Sequence, residues 1–130
     1  MSTEQNPESR PRLLIVDDSR MVRASIIKHL KGLYDIREEG DGEAAWQTLV
    51  LDHHIDAVIS DLSMPVMDGF QVCQILKSNP VTKDMKIIAI SGKKLTPAQQ
   101  DFLKKNCDRF LQKPFEMADL VGAVDKLFPN

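Results

Sequence analysis

The chain predicts an α/β fold, a doubly wound, five-stranded parallel sheet with helices on both faces, and three observations carry that expectation. Leu13-Leu14-Ile15-Val16, Ala57-Val58-Ile59 and Ile87-Ile88-Ala89-Ile90 are unbroken apolar runs rather than alternating ones. Such runs suit strands covered on both faces, as parallel sheets require. Between them lie stretches whose apolar residues recur at helical spacing. Strand and helix patterns alternate five times with connections of a few residues. That order means βαβ units with right-handed crossovers.

Residues 1–11 are polar and carry two prolines, and they read as a loose tail ahead of one domain over 12–130. The first strand, Leu13–Val16, ends in Asp17-Asp18, and Ser19 is placed to cap the following helix. Val22, Ile26, Ile27 and Leu30 form that helix's apolar face, and Gly32 closes it. Tyr34–Glu38 is a more polar strand, suited to a sheet edge. Asp41-Gly42-Glu43 opens a second helix, with Ala45, Trp46 and Leu49 inward, running towards His53. The central strand over Ala57–Ile59 stops at Asp61, and the chain turns through Met64-Pro65.

Asp68 is expected to cap a third helix with Val72, Cys73 and Leu76 inward, terminated by Asn79-Pro80. Ile87–Ile90 is followed by Ser91-Gly92, and Thr96-Pro97 is an N-cap with proline at the first helical position. That helix passes Phe102 and Leu103 and is expected to stop at Asn106, a residue that tolerates the left-handed cap. Arg109–Gln112 is a last short strand before Lys113-Pro114. Met117, Leu120, Val121, Val124, Leu127 and Phe128 line one side of the final helix.

A net charge of −2 gives no global attraction to nucleic acid or to an anionic membrane. No apolar run approaches the roughly 20 residues of a membrane span, and Met1–Arg12 lacks the apolar core of a signal peptide. A cytoplasmic setting is the expectation. The two cysteines, Cys73 and Cys107, fit small buried side chains better than a disulfide or metal framework. His29, His53 and His54 have no partners at metal spacing and are expected to face solvent. Lys93, Lys94, Lys104 and Lys105 form a basic stretch that suits a soluble face or a partner contact.

Chemistry gathers at the strand ends. In a parallel sheet, Asp17, Asp18, Asp61, Ser91 and Lys113 all follow strands along one edge. Each has an ordinary reading alone, as a helix cap, a turn residue or a solvated charge. Together, three crowded carboxylates repel one another unless cations balance them. Lys113 supplies one positive charge and a divalent ion would supply two. Hard oxygen donors without His or Cys nearby favour Mg²⁺. Two acids holding the ion leave the third carboxylate as a nucleophile towards phosphorus, with the lysine and the Ser91 hydroxyl placed to receive phosphoryl oxygens. No Gly-rich phosphate loop or nucleotide fingerprint is present, so the phosphorylated chain itself is the expected product.

The acid pair Asp17-Asp18, Asp61 with Met64-Pro65 and Asp68-Gly69, Ser91-Gly92, and Phe110 ahead of Lys113-Pro114 together resemble a response-regulator receiver domain of the CheY-like, two-component type. The likeness spans 12–128 and implies a flavodoxin-like (βα)5 sheet of order 2-1-3-4-5. It implies Asp61 as phosphoacceptor and Mg²⁺ held by Asp17, Asp18, Asp61 and the Ser63 backbone carbonyl. It further implies phosphoryl contacts from Ser91 and Lys113, Ser91 and Phe110 as the switch pair, and a cis Lys113-Pro114 bond. Ser91 keeps the hydroxyl of the commoner threonine, whereas Phe110 lacks the hydroxyl of tyrosine-bearing members. Ser63 and Lys93 stand where the family tunes phosphoryl lifetime.

The implied partners are a sensor histidine kinase or histidine phosphotransfer protein and a downstream effector protein or domain. A phosphorylation-dependent dimer is also implied, with no direct nucleic-acid binding by this domain and no membrane. The chain would act as a switch rather than an enzyme, alone or as the N-terminal receiver of a longer DNA-binding or cyclic-di-GMP regulator. Two rivals remain at this point. A haloacid dehalogenase-type phosphatase normally has a second acid where Ser63 stands, and a phosphorylation-independent interaction module would not need the acid set.

Overall fold

A computed structural model describes residues 10–52, 54–62, 69–80 and 82–128. Its elements run β1 (Arg12–Val16), α1 (Arg20–Leu30), β2 (Asp35–Glu39), α2 (Gly42–Leu51) and β3 (Ala57–Asp61). They continue through α3 (Gly69–Ser78), β4 (Lys86–Ser91), α4 (Pro97–Asn106), β5 (Arg109–Gln112) and α5 (Met117–Leu127). All strand pairs are parallel and the sheet order is β2-β1-β3-β4-β5, the order the resemblance implies.

The unbroken apolar runs are central because each strand buries both faces. Leu13, Ile15, Ala57, Ile59, Ile88 and Ile90 pack with Ile26 and Leu30 of α1 and Leu120 and Val124 of α5. The alternate residues Leu14, Val16, Val58 and Ile87 pack with Ala45 and Leu49 of α2 and Cys73 and Leu76 of α3. Ala89 meets Leu62 and Leu103, which brings α4 onto that same side. The period-two alternation of strand side chains thus sorts the helices into two layers. β2 is exposed along much of its length, as its polar sequence requires at an edge.

Local signals set most boundaries. The Ser19 hydroxyl accepts from Val22 N–H at 3.2 Å and the Asp41 carboxylate from Ala44 N–H at 2.7 Å. Thr96 and Gln99 form a reciprocal capping box, with Pro97 opening α4. Gly32 sits just past α1 at φ +92°, a conformation that a side chain would strain.

α4 ends at Asn106, as expected, but without the left-handed cap. No described non-glycine residue has positive φ, so Asn106 is not a left-handed cap. It is the last helical residue, and its side-chain amide donates to Phe102 O at 2.8 Å. The extended residue is Cys107, whose N–H donates to Leu103 O at 2.8 Å. Both donors bond carbonyls within the helix's own last turn, and the chain leaves through extended Cys107, so the exit uses no left-handed residue. Asp68, His53, Ser63, Met64-Pro65 and the Val72 side chain lie outside the described residues.

Candidate functional site

Register alone assembles the rim. Val16 pairs with Ser60, so the next residues, Asp17 and Asp61, emerge side by side. Asp61 pairs with Ile90, which puts Ser91 next, and Ser91 pairs with Gln112, which puts Lys113 beyond it. Lys113 is tied in by its N–H, which donates to Ser91 O at 2.7 Å. The Lys113-Pro114 bond is cis, as the resemblance implies.

The side chains converge. Asp17, Asp18 and Asp61 each bring a carboxylate oxygen within 4.8 Å of the others. Asp17 and Asp61 are buried while Asp18 is exposed, so the two adjacent acids divide between core and solvent. The Lys113 ammonium reaches into the group, 3.3 Å from Asp61 Oδ2 and 3.8 Å from Asp17 Oδ2. Burial pushes the Asp17 carboxyl above its ordinary value, and the neighbouring Asp61 and Asp18 charges add to that. The Ser19 N–H, 2.8 Å from Asp17 Oδ1, and the lysine oppose the shift.

Asp17 Oδ2 is buried and accepts no hydrogen bond among the described residues. An anionic oxygen in that position calls for a cation. Oxygen donors from three carboxylates fit a small hard divalent ion, so the residues present fit the ion the sequence predicts. Ser63, whose carbonyl the resemblance adds to the ligand set, lies outside the described residues.

Ser91 is buried at the rim with its hydroxyl engaged locally. It donates to Lys93 O at 3.0 Å and accepts from Lys93 N–H at 3.1 Å. Phe110 is 36% exposed on β5, with surface grooves on its α4 and α5 sides. Lys93, Lys94, Lys104 and Lys105 are all exposed, as are His29 and His54.

Sequence reasoning missed Arg23. Its guanidinium donates to the Asp17 backbone carbonyl and pairs with Glu38 at 2.9 Å. It braces the β1 end without joining the carboxylates. Its place in the first turn of α1, soon after the acid pair, was the available signal.

The family model described as the response regulator receiver domain matches residues 13–125. This chain belongs to that family. The two-component response regulator ORR3 of rice is 30% identical to this receiver over 121 residues, covering 92% of each chain. Response regulator Rre1 of Synechocystis is 32% identical over 118 residues, and the match covers 88% of this receiver but only half of Rre1. The hybrid signal transduction histidine kinase A of Dictyostelium discoideum is 32% identical over 126 residues, which are 6% of its length.

In fold, the receiver superposes on Vibrio cholerae chemotaxis protein CheY4 with TM-score 0.83 at 24% identity, covering 92% of this chain and all of that one. It superposes on the receiver domain of Francisella response regulator 1452 with TM-score 0.81 at 25% identity, covering 91% and 96%. Receiver domains are signalling switches that meet histidine kinases and effectors. No helix among the described residues is long and apolar enough to cross a membrane.

Proposed function

We propose that this receiver, folded over 12–130 behind a tail of residues 1–11, accepts a phosphoryl group on Asp61. The donor is a phosphohistidine of a sensor kinase or phosphotransfer protein, and the transfer depends on Mg²⁺. The observation that carries the proposal is the convergence of Asp17, Asp18 and Asp61 with the Lys113 ammonium 3.3 Å from Asp61. Asp61 Oδ forms the new bond to phosphorus as the bond to the donor nitrogen breaks, and the imidazole leaves with a proton. Asp17, Asp18 and Asp61 would hold the ion, which when bound supplies charge stabilisation for the phosphoryl oxygens. Lys113 contributes the remaining positive charge from the end of β5, on the same rim.

Ser91 is the movable part. Turning its hydroxyl towards a phosphoryl group on Asp61 gives up its two contacts with Lys93 and vacates space beside β5. Phe110, a third exposed at that strand, is placed to enter it. The face built by α4, β5 and α5 then presents a different surface to an effector, a two-state equilibrium biased by a local charge. The phosphatase rival lacks its second acid at Ser63, and the metal-fitting carboxylates disfavour a module indifferent to phosphorylation.

Beryllofluoride, a phosphoryl mimic, tests this with Mg²⁺ and amide NMR. Shifts are expected at Asp61, Ser91, Lys113 and Phe110 in the wild type and at none of them in Asp61→Asn. A variant that responds like wild type would place the acceptor elsewhere.

A further inference from the structure

Cys73 and Cys107 lie 34 residues apart, yet their sulfurs approach to 3.5 Å where α3 meets the end of α4. A disulfide needs a sulfur separation of about 2 Å, so closing the gap takes a shift of about 1.5 Å. The two thiols are not equivalent. Cys73 is fully buried among Leu14, Val58 and Leu76. Cys107 is half-buried and lines a surface groove with Gln100, Lys104 and Phe110, so a small oxidant reaches it first. A hydrogen bond from Cys73 holds the Cys107 thiol below its ordinary value, opposed by burial and by Asp108, with Lys77 adding to the lowering. A half-buried cysteine on a surface groove beside a fully buried second thiol is the arrangement of an attacking and a resolving pair.

We propose that Cys73 and Cys107 form a reversible redox pair, which hydrogen peroxide converts to an intramolecular disulfide tying α3 to the end of α4. The Cys107 thiolate attacks one peroxide oxygen. The S–O bond forms as the O–O bond breaks, and the departing hydroxide takes a proton to become water. The Cys73 sulfur then attacks the Cys107 sulfur. The S–S bond forms, the S–O bond breaks, and the leaving hydroxide carries off the Cys73 proton as a second water. Two thiols lose two electrons in all and the peroxide gains them. Cys107 leads directly into Asp108, whose N–H donates to Ile87 O at 2.9 Å, and then into β5. The bond therefore anchors the α4–β5 junction to α3.

The test treats the full chain with hydrogen peroxide, alkylates the remaining thiols and reads intact mass, with a peptide map. The expected product is a monomer lighter by two hydrogens, with both thiols lost together, one cross-linked peptide pair, and full reversal by dithiothreitol. An oxygen adduct on Cys107 with Cys73 still alkylated, or a dimer joined through Cys107, overturns the proposal. Cys73→Ser removes a core thiol and risks the fold, so Cys107→Ser is the second arm. Cys73 in that variant should react with peroxide at least about tenfold more slowly than the wild-type pair. Oxidation of Cys73 at the wild-type rate would show that Cys107 is not the point of entry.

Discussion

Replacing Asp17 by asparagine should stabilise the metal-free protein, although it alters a buried residue at the centre of the site. The Asp17 carboxylate lies within 4.8 Å of Asp61's and 3.8 Å from the Lys113 ammonium. At an effective dielectric of about 20, the repulsion is at least ~3.5 kcal/mol and the attraction about 4 kcal/mol, so the two nearly cancel. What remains is the cost of burying the charge, aggravated by Asp18 and only partly offset by the Ser19 N–H. Asparagine keeps an oxygen for that N–H and removes the charge.

The expected gain is about 1–2 kcal/mol, a rise in Tm of roughly 5 °C for a domain of this length. The pH dependence has a definite sign. A carboxyl raised in the folded state binds more protons there, so wild-type stability falls as pH climbs from 3.8 through the raised value. The advantage of the variant should therefore be small in acid and full at neutral pH. Saturating Mg²⁺ should reverse the order, because binding at 100 times Kd adds about 2.7 kcal/mol to the protein that keeps all its ligands. Urea unfolding followed by circular dichroism, in EDTA and in Mg²⁺, measures both. A variant no more stable than wild type in EDTA would refute the crowding of charge at this rim.

Three further outcomes are expected. Lys113→Ala should fold, with a loss of about 1 kcal/mol because the ammonium is a third exposed and screened; phosphorylation should then no longer shift the Phe110 amide, and an unchanged NMR response would remove the lysine from the coupling. Tyr34→Phe should cost about 1–2 kcal/mol, since the hydroxyl donates to Asp125 Oδ1 at 2.5 Å. Burial, then that bond, raises the phenol well above its ordinary 10, so the phenolate absorbance of this single tyrosine should stay silent at pH 10 in folded protein. Thr96→Ala should lose about 1 kcal/mol and speed hydrogen exchange in the first turn of α4, where Thr96 accepts from Gln99 N–H at 3.2 Å.

The sheet was legible because burial on both faces leaves no room for polar alternation. Leu13, Leu14, Ile15, Ile87 and Ile88 are all fully buried. The rim was legible for a related reason, since parallel register converts strand-end residues into neighbours. Features that depend on helix packing were not legible. The approach of Cys73 to Cys107 follows from how α3 and α4 lie on one layer, which no local pattern records. Asn106 was misjudged because its residue type suits a left-handed cap, whereas here its amide finds a carbonyl within its own helix. The split between buried Asp17 and exposed Asp18 turns on where β1 leaves the sheet, which the paired acids alone do not reveal.

The most direct measurement of the central claim is peptide mass mapping after treatment with acetyl phosphate. One phosphoryl group should appear, on the peptide bearing Asp61, with Mg²⁺ present; it should be absent with EDTA and absent in Asp61→Asn. A phosphoryl group on any other residue, or a yield indifferent to Mg²⁺, would contradict the proposal.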